Sequence, residues 1–173
     1  MKVITFGTSI SKNSINKQLA IFTSKQFNTI LDLKNYPLPI YSEIEELKGI
    51  PDNAIGFYNK IREADLIIIG LAEHNGSYTA VFKNLFDWMS RYQSKMFENK
   101  QVILQSTSPG IRGAKSVMEA ALTRFPIHGA EIIGHFSLPE FAVNFAHDKG
   151  IISDYFLKEY TKFIAACKNK LDQ

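Results

Sequence analysis

The run Leu66-Ile67-Ile68-Ile69-Gly70-Leu71 constrains this chain more than any other feature. None of its six residues is polar, so neither face is built to meet water. Short, unbroken, β-branched runs of this kind are typical of strands covered on both faces, the condition of a parallel sheet. The run passes into Ala72-Glu73-His74-Asn75-Gly76-Ser77, a polar loop with a glycine. A helix is expected from near Ser77 to Arg91. Ligands of open α/β sheets bind beyond the carboxyl ends of strands, so this loop stands where a ligand would sit.

Four further segments read as strands: Val3 to Phe6, Thr29 to Leu33, Gln101 to Gln105 and Glu131 to Phe136. Helical patterns lie between them. Ser14 to Phe27 places Ile15, Leu19, Ile21 and Phe22 inward, and Pro51 to Ala64 opens on a proline, a favoured first helical position. Arg112 to Phe125 follows, and Ile151 to Leu171 closes the chain with Phe156, Tyr160, Phe163 and Ile164 at helical spacing. The alternation implies a five-stranded parallel sheet with right-handed crossovers and helices on both faces. A strand order of 2-1-3-4-5 fits, and pattern alone leaves other orders open. The 173 residues are expected to form one domain, 1–173. Asn35 to Gly49 is a long connection with two prolines, and long loops in compact domains are often functional.

Composition narrows the function classes. The formal charge is +3, without a basic run interleaved with aromatics, so a nucleic-acid partner is not expected. No apolar run approaches the ~20 residues of a membrane span, and the N-terminal segment Met1 to Phe6 reads as a strand rather than a leader. No membrane partner is expected, and a cytoplasmic location is. The single Cys167 can make neither an internal disulfide nor a cysteine cluster and reads as a packing residue. His74, His128, His135 and His147 lack metal-ligand spacing, and no metal is expected. His135 reads as a core or strand-end histidine, His128 and His147 as loop residues.

Three polar loops follow strands one, three and four. The first runs from Gly7 through Thr8, Ser9, Ser11, Lys12, Asn13 and Ser14 to Asn16 and leads into a helix N-terminus, where unpaired N–H groups and the helix dipole favour an anion. It has neither the Walker ending nor the dinucleotide glycine pattern. The second is Ala72 to Ser77. The third is Gln105-Ser106-Thr107-Ser108-Pro109-Gly110-Ile111-Arg112-Gly113. Each alone also reads as a capped turn, the first as a Ser/Asn helix cap. Three at one crevice point to a phosphorylated, planar ligand.

These residues resemble the NADPH-dependent FMN reductase family, which includes quinone- and azo-reducing members. The resemblance rests on the first loop with Ser9, Ser14 and Asn16, on Glu73-His74-Asn75-Gly76-Ser77 with Lys83, Asn84, Asp87 and Trp88, and on Ser106-Thr107-Ser108-Pro109-Gly110. It implies an α/β flavodoxin-like fold, bound FMN, and NADPH or NADH as electron donor. The implied cofactor-binding residues are Ser9, Ser11, Ser14, Ile15 and Asn16, then Glu73, His74, Asn75, Gly76 and Ser77, then Ser106, Thr107, Ser108 and Gly110. Gly76 is expected to allow close backbone approach. The chain departs from the family where Ser11 replaces a usual arginine, where Pro-Glu-Tyr-Asn becomes Ala72-Glu73-His74-Asn75, and where Thr79 replaces a frequent proline.

A flavin performs its own redox chemistry while the protein fixes and tunes it, so no catalytic side chain is assigned. Glu73 is expected to bond backbone N–H groups more than to act as a base. The Phe136, Phe141 and Phe145 region reads as packing or as the border of an acceptor pocket. The expected activity passes electrons from NAD(P)H through FMN to a small-molecule acceptor: a quinone, an azo compound or free flavin. A flavodoxin-type carrier, usually acidic, or a flavin-binding regulatory protein is the alternative, and the pI near 8.9 speaks against the carrier. A homodimer or homotetramer is also expected, because Tyr78, Val81, Phe82, Leu85, Phe86, Trp88 and Met89 span more of one helix than the ~100° stripe needed for packing on a sheet. The C-terminal helix is the alternative cover.

Overall fold

The computed structural model describes residues 1–24 and 29–171. The chain begins with β1 (Val3–Gly7), α1 (Ile15–Thr23), β2 (Thr29–Leu31), a 3-10 turn at Leu33–Asn35, α2 (Glu43–Glu46) and α3 (Asp52–Glu63). β3 (Leu66–Leu71) leads into the short hairpin β4 (Glu73–His74) and β5 (Ser77–Tyr78), then α4 (Ala80–Tyr92) and β6 (Lys100–Thr107). The rest is α5 (Lys115–Arg124), a 3-10 turn at Phe125–His128, β7 (Ala130–Leu138), α6 (Phe141–Asn144), the pair β8 (Phe145–Ala146) and β9 (Gly150–Ile151), and α7 (Asp154–Leu171). The main sheet is parallel in the order β2-β1-β3-β6-β7, which is 2-1-3-4-5 when its strands are counted along the chain.

The period-two alternation of strand side chains divides the core. Ile4, Phe6, Ile67, Ile69, Leu71, Val102 and Leu104 face α3, α4 and α5. Val3, Leu66, Ile68 and Ile103 face the other way, with Ala20 of α1 and Cys167 of α7. Phe6 meets Phe57 of α3 edge to face, with ring centroids 5.2 Å apart. Burial pushes the Cys167 thiol pKa up, which fits a packing residue. The Phe136, Phe141 and Phe145 side chains are buried with Leu19 and Ile151, so they pack under α1. His135 is exposed on the edge strand β7, contrary to a core placement.

Several boundaries differ from those expected. The second strand stops at Leu31 instead of Leu33, because the Asp32 side chain accepts the Lys34 N–H at 3.1 Å and caps a 3-10 turn. Strands four and five extend to Thr107 and Leu138. Gln105, Ser106 and Thr107 look like loop residues by polarity but are buried in the ladder. The fourth intervening helix starts at Lys115 instead of Arg112, after Gly113 and Ala114, both at φ 59. The last helix starts at Asp154 instead of Ile151, which pairs with Phe145. The first helix is described to Thr23; the expected end at Phe27 lies outside the described residues.

The helix expected from Ser77 begins three residues later. Asn75 and Gly76 have φ of 52 and 76, the two left-handed positions of a type I′ hairpin turn. Ser77 therefore pairs with His74, and Thr79 caps α4 by accepting the Phe82 N–H at 3.3 Å. The broad apolar surface of α4 is covered within the chain. Phe82, Leu85, Phe86, Trp88 and Met89 are all buried, and Phe86 lies near Phe97 and Phe125. Trp88 lies under the connection 36–42, where its indole N–H and the Asn84 side-chain amide both donate to the Pro39 carbonyl, at 2.8 and 3.0 Å. The C-terminal helix lies on the opposite face and covers none of this core.

Candidate functional site

The carboxyl ends of β1, β3 and β6 carry the three polar loops to one crevice. Gly70 lets α1 cross β3 closely: a Cβ there would lie 2.2 Å from the Asn16 carbonyl oxygen. Buried side chains then tie the loops together. The Thr8 hydroxyl accepts the Ala72 N–H at 2.8 Å, the Thr8 N–H donates to the Gly70 carbonyl at 2.9 Å, and the Thr79 hydroxyl donates to the Thr8 carbonyl. Asn16 reaches the third wall, its Oδ1 accepting the Thr107 N–H at 2.8 Å. Thr107 and Ser106 in turn bond across to β7: the Thr107 hydroxyl donates to the Leu138 carbonyl at 2.6 Å, and Ser106 Oγ meets Ser137 Oγ at 2.6 Å.

Between these walls lies a cavity of 220 Å³. Ser9, Ser11, Ser14, Ile15, Asn16, Glu73, His74, Thr107 and Ser108 line it, so nine of the fourteen residues expected at the site meet there. The N–H groups of Ile15 and Asn16, the first two of α1, have no acceptor among the described residues. Ser14 Oγ accepts the Lys17 N–H at 3.2 Å, and Ser9 Oγ accepts the Ser11 N–H at 3.1 Å. Each of these hydroxyls keeps its proton to donate into the cavity. Open N–H groups and hydroxyl protons at a helix N-terminus favour an anion. The cavity's volume lies below the about 300–1,000 Å³ of typical small-molecule sites.

Five expected residues are elsewhere. Ser106 lies beneath the floor, donating to the Gly113 carbonyl at 2.8 Å. Gly110 is in the following turn, where its carbonyl accepts the Glu140 N–H at 3.1 Å. Asn75, Gly76 and Ser77 form the hairpin tip and its return strand and do not line the cavity. No protein atom would meet a Cβ at Gly76 within 4 Å, and its positive φ favours glycine there. Asn13, Ala72 and Pro109 of the same loops, not among the expected cofactor-binding residues, also line the cavity. The bracing role of Thr8 and Thr79 was not foreseen, because a hydroxyl facing inward looks no different in sequence from one facing water.

Glu73 has a specific task. Its Oε2 accepts the Val117 N–H at 2.9 Å, so the carboxylate caps the first turn of α5 and holds the hairpin against it. The Lys17 ammonium turns away to Asp32, 2.7 Å distant. Burial raises the Asp32 carboxyl, but the Lys17 hydrogen bond, the Lys34 N–H and the two lysine charges outweigh it and hold the pKa below the usual carboxylate value.

A larger groove of 790 Å³ opens between α4 and α5, with Tyr78 and Phe86 at its base and Lys83, Asp87, Glu119, Arg124 and His128 around it. The Tyr78 hydroxyl is buried without a hydrogen-bond partner among the described residues. Burial pushes its pKa up to about 12, with Arg124 pulling weakly the other way, so the phenol stays neutral. Among the described residues no His, Cys, Asp and Glu cluster could hold a metal ion, and no helix is long and apolar enough to cross a membrane.

The sequence model of the NADPH-dependent FMN reductase family matches residues 1–148. A quinone reductase of Escherichia coli (strain K12) is 28% identical over 118 residues, 65% of this chain and 63% of that protein, so the match spans less than two thirds of the relative. An uncharacterized protein of Mycoplasma pneumoniae is 31% identical over 130 residues, 72% of this chain and 78% of that one. Among solved structures, the flavoenzyme NAD(P)H:(acceptor) oxidoreductase FerB from Paracoccus denitrificans superposes with a TM-score of 0.75 at 21% identity, covering 96% of this chain and 94% of that one. An FMN-dependent NADH-azoreductase from Bacillus anthracis, in complex with FMN, gives 0.66 at 12% identity, covering 98% and 99%. These likenesses show the shared flavodoxin-like fold.

Proposed function

This chain belongs to the NADPH-dependent FMN reductase family, and on that premise we propose that it is an FMN-dependent oxidoreductase. NADPH or NADH supplies the electrons, and a quinone, an azo compound or free flavin takes them. The observation that carries the reading is the convergence of three braced loops on a cavity headed by the open N-terminus of α1. Ser9, Ser11 and Ser14 hydroxyls and the Ile15 and Asn16 N–H groups suit one terminal phosphate, and the loop lacks the glycine pattern of a dinucleotide site. FMN, rather than FAD, fits that donor set. The ring would then use the side of the cradle formed by Glu73, His74 and residues 107–109. Bound flavin supplies the two-electron chemistry. The residues of this chain bind its phosphate, fix the ring, and shape the opening through which donor and acceptor reach it. The activities for which the E. coli quinone reductase and FerB are named support the same class.

The experiment is the absorbance spectrum of the purified protein, followed by its bleaching with NADPH and with NADH and its recovery on adding a quinone. A colourless protein that takes up no added FMN, or a bound flavin recovered as FAD, would overturn the reading. A flavin that bleaches without turnover would leave an electron carrier. A cytoplasmic setting and pairing with a second copy belong to the same proposal. With α4 already covered, pairing is supported by the groove beside the hairpin, whose aromatic base and charged rim could take another chain. Light scattering tests it: a mass near the 19.6 kDa of one chain would mean a monomer.

A further inference from the structure

Two side chains on the cradle lining can carry charge, Glu73 and His74. Glu73 is committed to the α5 N-terminus through Val117. The surrounding charges are committed as well or stand back. Lys17 is bound to Asp32, and Lys34 stands 3.5 Å from the same carboxylate. Lys12 and Arg112 lie on the adjoining loops without lining the cavity, and Arg112 donates to Ser116 at 2.9 Å. On α5, which packs against the hairpin, Lys115 faces Glu119 at 3.8 Å, and Arg124 lines the separate groove. Among the described residues, His74 is therefore the one lining group able to become cationic.

We propose that His74 tunes the potential of the bound flavin, favouring the reduced ring when the imidazole is protonated. This rests on the flavin lying in the cradle as proposed above. The helix N-terminus claims the phosphate, which leaves the His74 side for the ring. The oxidised ring is neutral. Two electrons and one proton give a reduced ring with one negative charge, and a second proton would neutralise it. Where the imidazole is already protonated, two electrons and one proton enter the site; where it is neutral before reduction and protonated after it, His74 takes up the second proton, and two electrons and two protons enter. The imidazolium attracts the reduced ring and is nearly indifferent to the oxidised one. The potential is therefore raised at low pH, and the effect is lost as pH rises through the histidine titration. His74 is exposed, so water screens the attraction. A preference of tenfold or less is expected, which is up to about 30 mV for a two-electron couple.

Reductive titration of the FMN-loaded protein between about pH 5.5 and about pH 8.5 reads this effect across the range where histidine changes charge. The wild type should lie above His74→Gln at the acid end and converge with it at the alkaline end. His74→Lys should keep the raised potential throughout. Superimposed wild-type and His74→Gln curves would overturn the inference. A second measurement needs no variant. Linkage is reciprocal, so His74 must titrate at higher pH in the reduced protein than in the oxidised one. Imidazole resonances that titrate identically in both states would also overturn it. Asn16→Ala separates this inference from the reading beneath it. If Asn16→Ala keeps its full flavin content, the cradle itself is wrongly placed; if it loses flavin while the His74 curves coincide, only the role of His74 fails.

Discussion

The strand-end cradle and the groove between α4 and α5 differ in kind more than in size. The groove is larger, 790 against 220 Å³, yet its rim is made of long side chains such as the Lys83–Asp87 pair, 55% and 33% exposed. The cradle is walled by three loops tied to one another through Thr8, Asn16, Thr79 and Thr107, each under 5% exposed. Volume alone would choose the groove. A site that must hold a ligand in one geometry needs walls that do not move, and buried hydrogen bonds between loops supply them.

The largest effect expected from breaking this bracing is at Gly70→Ala. Its Cβ would run into the Asn16 backbone, and overpacking of this kind costs about 1–3 kcal/mol or more. Urea melts should show the loss, and flavin retention should fall with it. Asn16→Ala leaves the buried Thr107 N–H without its acceptor. About 1–3 kcal/mol is expected, and binding of FMN, followed by flavin fluorescence, should weaken roughly tenfold or more at this level of interaction energy.

Asp32→Asn sharpens the comparison through pH. The Asp32 pKa is held below its unfolded value, so its contribution to stability is present above the unfolded pKa of about 3.9. It is lost as pH falls through the lower folded value. The variant should be less stable by about 1 kcal/mol at neutral pH, and the gap measured by thermal melts should close in strong acid. A gap unchanged by acid would mean that the ion pair is not its source. The smallest effect is expected in the groove. Lys83→Ala removes an exposed i,i+4 pair, should change stability by less than about 0.5 kcal/mol, and should leave FMN affinity alone. A large loss of flavin there would erase the distinction between the two regions.

The sheet was legible from the sequence because five apolar runs of strand length alternate with helical periods, and burial on both faces leaves no polar interruption in Leu66–Leu71. The ends of the elements were less so. Ser106 and Thr107 hide their polarity in hydrogen bonds to β7, and Asp32 ends a strand by capping a turn. Asn75-Gly76 announced a hairpin that a helix period obscured. At the site, the sequence showed which loops are polar. It could not show which hydroxyls face the cavity and which are spent bracing it, because that depends on partners as distant in the chain as Asn16 and Thr107.

The fastening of the connection 36–42 to α4 gives the protein a built-in optical reporter. Trp88 is the single tryptophan. Its indole is fully buried, bonded to the Pro39 carbonyl and edge-on to Tyr41, with ring centroids 5.2 Å apart. Emission on selective excitation therefore comes from one dry environment whose cover is a single strand of chain. If that strand lifts while the sheet stays intact, the indole meets water and its emission shifts to the red before the far-ultraviolet dichroism changes. Fluorescence thus follows local opening of the connection, and circular dichroism follows the fold, in the same cuvette and without any added label.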